Sequence, residues 1–285
     1  MRKSPLFFTL LFCAVFCAAE EYIKSYDAAL VLNKDGSATV AEIISANAEH
    51  KKINRGLYRD LPYSSGPGAG LDYKVISLTR NGKTEPYFTE NKNGSLRVNF
   101  GSDDFIPTGI NTYTLTYTAA QAAAFLKNYD EVYWNVTGNY WDFPIRSVSF
   151  SLTLPPGAEV ISDKISAYSG PQGSTDAPGY RMTGNSENIR FVFKNSLAAR
   201  EGITVMVPLK KGLLTPPSKI EQLKTYVHSI SNTYSDKDFL RRSLFVLLGI
   251  IYFVIRMVFG GFRGGGFGGG GFSGGGFGGG GGGGR

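Results

Sequence analysis

The chain has 285 residues, a formal net charge of +7, 42% hydrophobic residues and two cysteines, Cys13 and Cys17. Both cysteines stand in the apolar N-terminal stretch, so a mature chain starting at Glu20 holds none, which excludes disulfides, thiol catalysis and Cys-based zinc sites. Loss of Arg2 and Lys3 with that stretch leaves 28 basic against 23 acidic residues, scattered rather than blocked, and on an exported chain so mild an excess argues against nucleic acid as a partner.

Residues 1–19 read as an export signal. Arg2 and Lys3 supply the positive region, Leu6 to Phe16 the apolar region, and Cys17-Ala18-Ala19 a small-residue cleavage site. The apolar run of about 11 residues is too short to span a bilayer. Residues 20–213 then follow a period-two pattern rich in β-branched and aromatic residues, which predicts a mainly β fold, an antiparallel β-sandwich. The pattern places strands over Ala28–Leu32, Ser37–Ile44, Asp72–Thr79, Ser95–Phe100, Thr112–Tyr117, Ser147–Leu154, Asn188–Phe193 and Ile203–Val207. Asp35-Gly36 marks a hairpin between the first two, and Asn81-Gly82 and Asn93-Gly94 mark further turns. Ala120 to Leu126, with strong helix formers and no β-branching, predicts a short helix, and Gly170 to Gly184 a loop.

Beyond Pro216-Pro217, apolar residues from Ile220 to Tyr234 recur at helical spacing, so 214–242 reads as a linker and amphipathic stalk. Residues 243–259 read as one transmembrane helix, because ten of the twelve residues from Leu244 to Ile255 are Leu, Ile, Val or Phe. At 17 residues the span reaches about 25 Å, slightly short of a hydrocarbon core near 30 Å. The export signal sets the orientation: the domain lies outside the cytoplasmic membrane, periplasmic or extracellular, and the tail is cytoplasmic. Residues 260–285 are almost pure glycine with Phe262, Phe267, Phe272 and Phe277 at a five-residue period, and are expected to be disordered.

Catalytic signatures are scarce. The two histidines, His50 and His228, share no ligand spacing, no Gly-x-Ser-x-Gly elbow occurs, and the Gly-x-Gly-x-x-Gly matches in the tail lack the strand and helix that such a motif needs. No cofactor or metal is expected. What stands out is Glu131 to Ile145, which holds both tryptophans, Trp134 and Trp141, together with Tyr133, Tyr140 and Phe143. These aromatics serve either as a core or as a stacking platform, with Thr137-Gly138-Asn139 as a turn and Asp142 beside it. The second distinctive stretch is Gly56-Leu57-Tyr58-Arg59-Asp60-Leu61-Pro62.

With Thr112–Tyr117 and Asp35-Gly36, these two stretches resemble the uncharacterised YciQ-like family of bacterial predicted membrane proteins over about Tyr22 to Gly212. The resemblance implies an exported N-terminal domain of unknown function, membrane helices and often a glycine-rich tail. Relatives often continue into a larger cytoplasmic part, whereas this sequence passes from one helix into glycine. The expected function is a binding or assembly module of the cell envelope, attached to the cytoplasmic membrane, with an envelope protein or polymer as partner. Arg59, Asn139, Trp141 and Asp142 are the candidate binding residues. The alternative is an envelope glycan hydrolase with Asp60, Glu131 or Asp142 as paired carboxylates.

Overall fold

The computed structural model describes residues 20–64, 71–233 and 280–285. The export signal, the 243–259 span and residues 260–279 lie outside the described residues, and among these no helix is long and apolar enough to cross a membrane.

In chain order the strands are β1 (Tyr22–Leu32), β2 (Ala38–Ala48), β3 (Leu57–Pro62), β4 (Asp72–Arg80), β5 (Lys83–Thr84), β6 (Tyr87–Lys92), β7 (Ser95–Phe100) and β8 (Gly109–Ala120). There follow β9 (Ala123–Phe125), β10 (Asp130–Asn135), β11 (Val148–Thr153), β12 (Ser166–Gly170), β13 (Tyr180–Gly184), β14 (Asn188–Phe193) and β15 (Gly202–Leu209), then helix α1 (Lys219–Thr233) and β16 (Gly281–Gly284). An eight-stranded sheet runs β13-β14-β11-β1-β2-β8-β4-β5, and two four-stranded sheets run β12-β15-β10-β9 and β16-β3-β7-β6. The fold is mainly β, as the alternation predicts, and its pairings are antiparallel except for β1 with β11.

The period-two pattern explains the main sheet. On β2, Val40, Ile44 and Ala46 point inward, and on β8 Tyr113, Leu115 and Tyr117 do the same. A register shift between Ile23 and Ser25 lets both Ile23 and Tyr26 reach the core, which strict alternation forbids. The hairpin falls where Asp35-Gly36 places it: Gly36 sits at φ +80°, and the Asp35 carboxylate accepts from the Ser37 amide at 2.9 Å. A helix forms over Lys219–Thr233, within the expected 214–242 stalk whose residues 234–242 lie outside the described ones, opened by a capping box in which the Ser218 amide donates to Glu221 and the Glu221 amide to Ser218 Oγ, at 2.8 and 3.2 Å.

Two expectations fail. The segment Ala120–Leu126 is no helix: Gln121 turns at φ +57° and Ala123–Phe125 pairs with β10. Ala122, Ala123 and Ala124 are buried, so small side chains were selected by packing and not by helix propensity. The stretch Gly170–Gly184 is a loop only between the end of β12 and the start of β13.

One inward position on β2 carries a charge. Glu42 is fully buried and accepts from Arg59 of β3 through Nε at 2.9 Å and Nη2 at 3.0 Å, and from the Tyr117 hydroxyl at 2.8 Å. The pair therefore ties two sheets together across the core. Burial alone would lower the Arg59 pKa, but Glu42, Tyr26 and Tyr117 together outweigh it and hold the guanidinium well above its ordinary value. Breaking such a pair from one side strands a buried charge at a cost of about 3–5 kcal/mol. In urea unfolding, Glu42→Ala should lose stability on that scale, whereas the double replacement Glu42→Leu with Arg59→Met should recover most of it; equal losses would show that the pair is not coupled.

Strand β10 is buried throughout, and two carboxylates go in with it. Asp130 receives Lys211 at 2.7 Å. Burial pushes the Glu131 carboxyl up. The folded state thus holds this proton more tightly than the unfolded chain does. Stability is lost as pH rises from the ordinary carboxylate range through the raised folded value. Glu131→Gln should flatten that part of the stability–pH curve and be at least as stable as the parent at neutral pH; an unchanged slope would rule the group out as its source.

Candidate functional site

A groove lies between β3 and the loop that follows β10, and both of the distinctive sequence stretches line it. On one side β3 offers its backbone, since only its other edge is taken by β7. On the other side the chain leaves β10 through a turn held by its own polar side chains. Asn135 Oδ1 accepts from the Gly138 amide at 2.8 Å, and Asn139 Nδ2 donates to the Gly170 carbonyl at 3.0 Å. Gly138 adopts φ +77°, which a side chain would strain.

The groove is filled by Gly280–Arg285. Strand β16 pairs antiparallel with β3, Gly281 opposite Asp60 and Gly284 opposite Leu57. Its second edge is bonded too: the Tyr140 amide donates to the Gly280 carbonyl at 3.0 Å and the Asp142 amide to the Gly282 carbonyl at 3.3 Å. Beyond the strand, the Arg285 amide donates to Gly56 O at 2.8 Å, and the Arg285 carbonyl accepts from the amides of Asn54 and Arg55 at 2.8 and 2.5 Å. The Arg285 guanidinium reaches the carbonyls of Phe100, Gly101 and Ser102 at 3.2, 2.8 and 3.3 Å and lies over the Phe88 ring.

The expectation of an unstructured tail is therefore corrected for residues 280–285. Glycine entropy does oppose order, but here bonds on both edges offset it.

The candidate residues Arg59, Asn139, Trp141 and Asp142 converge on this groove. Arg59 is committed to Glu42, with Nη1 left for the Asp60 carbonyl at 2.9 Å and, more distantly, the Gly281 carbonyl at 3.4 Å. Trp141 is fully buried, its Nε1 donates to Thr137 O at 2.7 Å, and its ring meets Tyr26 edge-on at 5.9 Å. The Arg59 guanidinium lies over that same Tyr26 ring at 6.0 Å, so the two motifs touch through one tyrosine. Asn139 is buried and fixes the turn. Asp142 takes Arg200 at 3.0 Å through its side chain and offers its amide to the tail.

The carboxylates of the hydrolase alternative are dispersed in role. Asp60 holds Arg97 through two bonds of 2.7 Å, Asp142 holds Arg200, and Glu131 is buried within β10. Tyr58 and Tyr140 stand within the two distinctive stretches but are not among the candidate binding residues, and sequence reasoning passes over Arg285 altogether. Tyr58 stacks under Arg97 at 3.8 Å and faces Gly283, and burial, then the nearby Asp142 charge, raises its pKa. The signal for Tyr58 lay in the Gly56-Leu57-Tyr58 motif; for Arg285 there was none beyond the end of a glycine run.

The uncharacterised protein YciQ of Escherichia coli (strain K12) is 29% identical over 238 residues, 82% of this chain and 37% of that protein. The chain thus spans little more than a third of that relative. Among solved structures, native leukotriene A4 hydrolase from Saccharomyces cerevisiae aligns with a TM-score of 0.42 at 10% identity, over 66% of this chain and 29% of that one. An M1 zinc metallopeptidase from Deinococcus radiodurans aligns with a TM-score of 0.39 at 11% identity, over 65% and 42%. Likenesses this low say nothing of activity. The family model described as "Predicted membrane protein (DUF2207) N-terminal domain" matches residues 22–209, so this chain belongs to that family of predicted membrane proteins.

Proposed function

We propose that this protein is a strand-binding module of the cell envelope: an exported, membrane-anchored β-sandwich domain that takes an extended peptide into the groove between β3 and the Gly138–Asp142 loop. One observation carries the reading. Residues 281–284 enter as a strand bonded on both edges, to β3 on one side and to the amides of Tyr140 and Asp142 on the other. Addition of a strand to an open sheet edge is a general mode of peptide capture, in which main-chain bonds supply affinity and side-chain fit supplies selectivity. In this reading Arg59 sets the position of β3, Asn139 shapes the facing loop, the Trp141 ring in that wall closes against Gly282 and Asp142 lends a backbone donor.

The reading places domain and tail on one side of the bilayer. This replaces the cytoplasmic tail expected from the sequence, and its support is the seat of Gly280–Arg285 against the exported domain. The segment then anchors the chain from the exported side.

Two measurements check these statements. Hydrogen exchange of the full chain and of a chain ending at Gly279 should differ at the amides of β3 that face β16 and at Tyr140 and Asp142. With several bonds worth about 1 kcal/mol each, protection there should fall roughly a hundredfold, while the amides shared with β7 keep theirs. Identical exchange in the two chains would remove the strand-binding reading. For the topology, the cysteine-free mature chain allows single labels: Ser273→Cys in the tail and Thr89→Cys on the exposed β6. A membrane-impermeant maleimide should modify both in intact spheroplasts; reaction of Ser273→Cys only after lysis would reject the one-sided arrangement.

A further inference from the structure

The residue type in the groove is the least suited to a strand. Glycine loses the most conformational freedom on ordering and lacks a side chain to pack on a neighbour, so a glycine strand normally loses to any β-branched sequence. Its presence here has a steric cause that repeats at every position. A Cβ on Gly281 would fall inside 3.0 Å of the Tyr140 backbone, and one on Gly282 inside that distance of both Tyr58 O and the Trp141 ring. One on Gly283 would collide with the Tyr58 ring, one on Gly284 with the Lys52 carbonyl, and one on Gly280 with Pro62. Successive positions of a strand face opposite ways. Both faces of this strand are thus closed, and several of the obstacles are backbone that cannot swing aside.

The walls are fixed from behind as well. A Cβ on Gly202 would meet the Gly138 carbonyl, and the Trp141 indole is held by Thr137 O. The slot therefore cannot widen without disturbing the turn that Asn135 and Asn139 hold. At its far end the requirement reverses. The Arg285 side chain is accommodated by three backbone carbonyls, by Asp103 Oδ1 at 3.4 Å and by the Phe88 face, an acceptor-rich cup suited to a cation.

Resting on the strand-binding reading, we propose that the groove is a selective site for an oligoglycine strand followed by a basic residue, and that its built-in occupant is the glycine tail of this chain. A tethered occupant raises its own local concentration, so it shields the site from free ligand until it is displaced.

The test uses the full-length chain in detergent and the labelled hexapeptide Gly-Gly-Gly-Gly-Gly-Arg, read by fluorescence anisotropy. Wild type, whose own tail competes, should bind the peptide weakly. Gly282→Ala, which weakens only the tethered competitor, should bind it about tenfold tighter or more. Against this variant, a peptide with Ala at its third position should lose about tenfold to a hundredfold, as overpacking against backbone predicts. A peptide ending in Gln should lose about tenfold through the cation cup. Equal binding of the Gly and Ala peptides would leave strand binding intact and overturn the glycine selectivity. No gain on Gly282→Ala, with the Gly peptide still bound, would overturn the tail as occupant. Binding of neither peptide to either chain would defeat the strand-binding reading itself.

Discussion

Arg59 reaches from β3 across the core to Glu42 on β2, and two charge-assisted bonds in a site closed to water hold the small sheet against the large one. Among the described residues neither charge is paired with another of opposite sign, so this one contact ties β3 to β2 within the apolar core. The Tyr117 hydroxyl and the Tyr26 ring complete the surroundings, and burial followed by the Glu42 charge drives the Tyr117 pKa well up. Through Tyr26 the same cluster braces Trp141. A displacement of β3 would therefore move both walls of the groove, since β3 is one wall and Trp141 lies in the other.

That dependence explains why the two distinctive sequence stretches, separated by about seventy residues, belong together. Gly56 lets the chain approach Phe100, where a Cβ would meet the Phe100 carbonyl, and so presents its own carbonyl to Arg285. Asn135 and Asn139 turn the other stretch back toward it. The groove is built almost wholly from backbone donors and acceptors, with aromatic rings closing its faces. Such a surface reads main chain and the absence of side chains, not side-chain chemistry.

Much of the fold was legible in the sequence because one face of the large sheet is buried and the other is not. Strands β1, β2, β8 and β11 alternate for that reason, and Asp35-Gly36 declares its hairpin. Ala122 to Ala124 misled because alanine at a crowded position and alanine in a helix look alike. The parallel pairing of β1 with β11 leaves no local mark. At the site, the cluster of candidates was visible, but Trp141 and Asn139 act as supports and Arg59 is spent on Glu42. The tail was the largest miss: composition gives the entropy of a glycine run, and says nothing of a slot elsewhere in the chain that admits only glycine.

The pairing of β16 with β3 also bears on how this protein avoids its own kind. Without those six residues β3 would present an unpaired row of amides and carbonyls beside the faces of Tyr58 and Trp141, the sort of open sheet margin through which copies of a protein adhere to one another. Most proteins blunt such a margin with charge, proline or a bulge. Here the cover is a strip of backbone, and loss of a few glycines would turn a covered margin of β3 into an adhesive one.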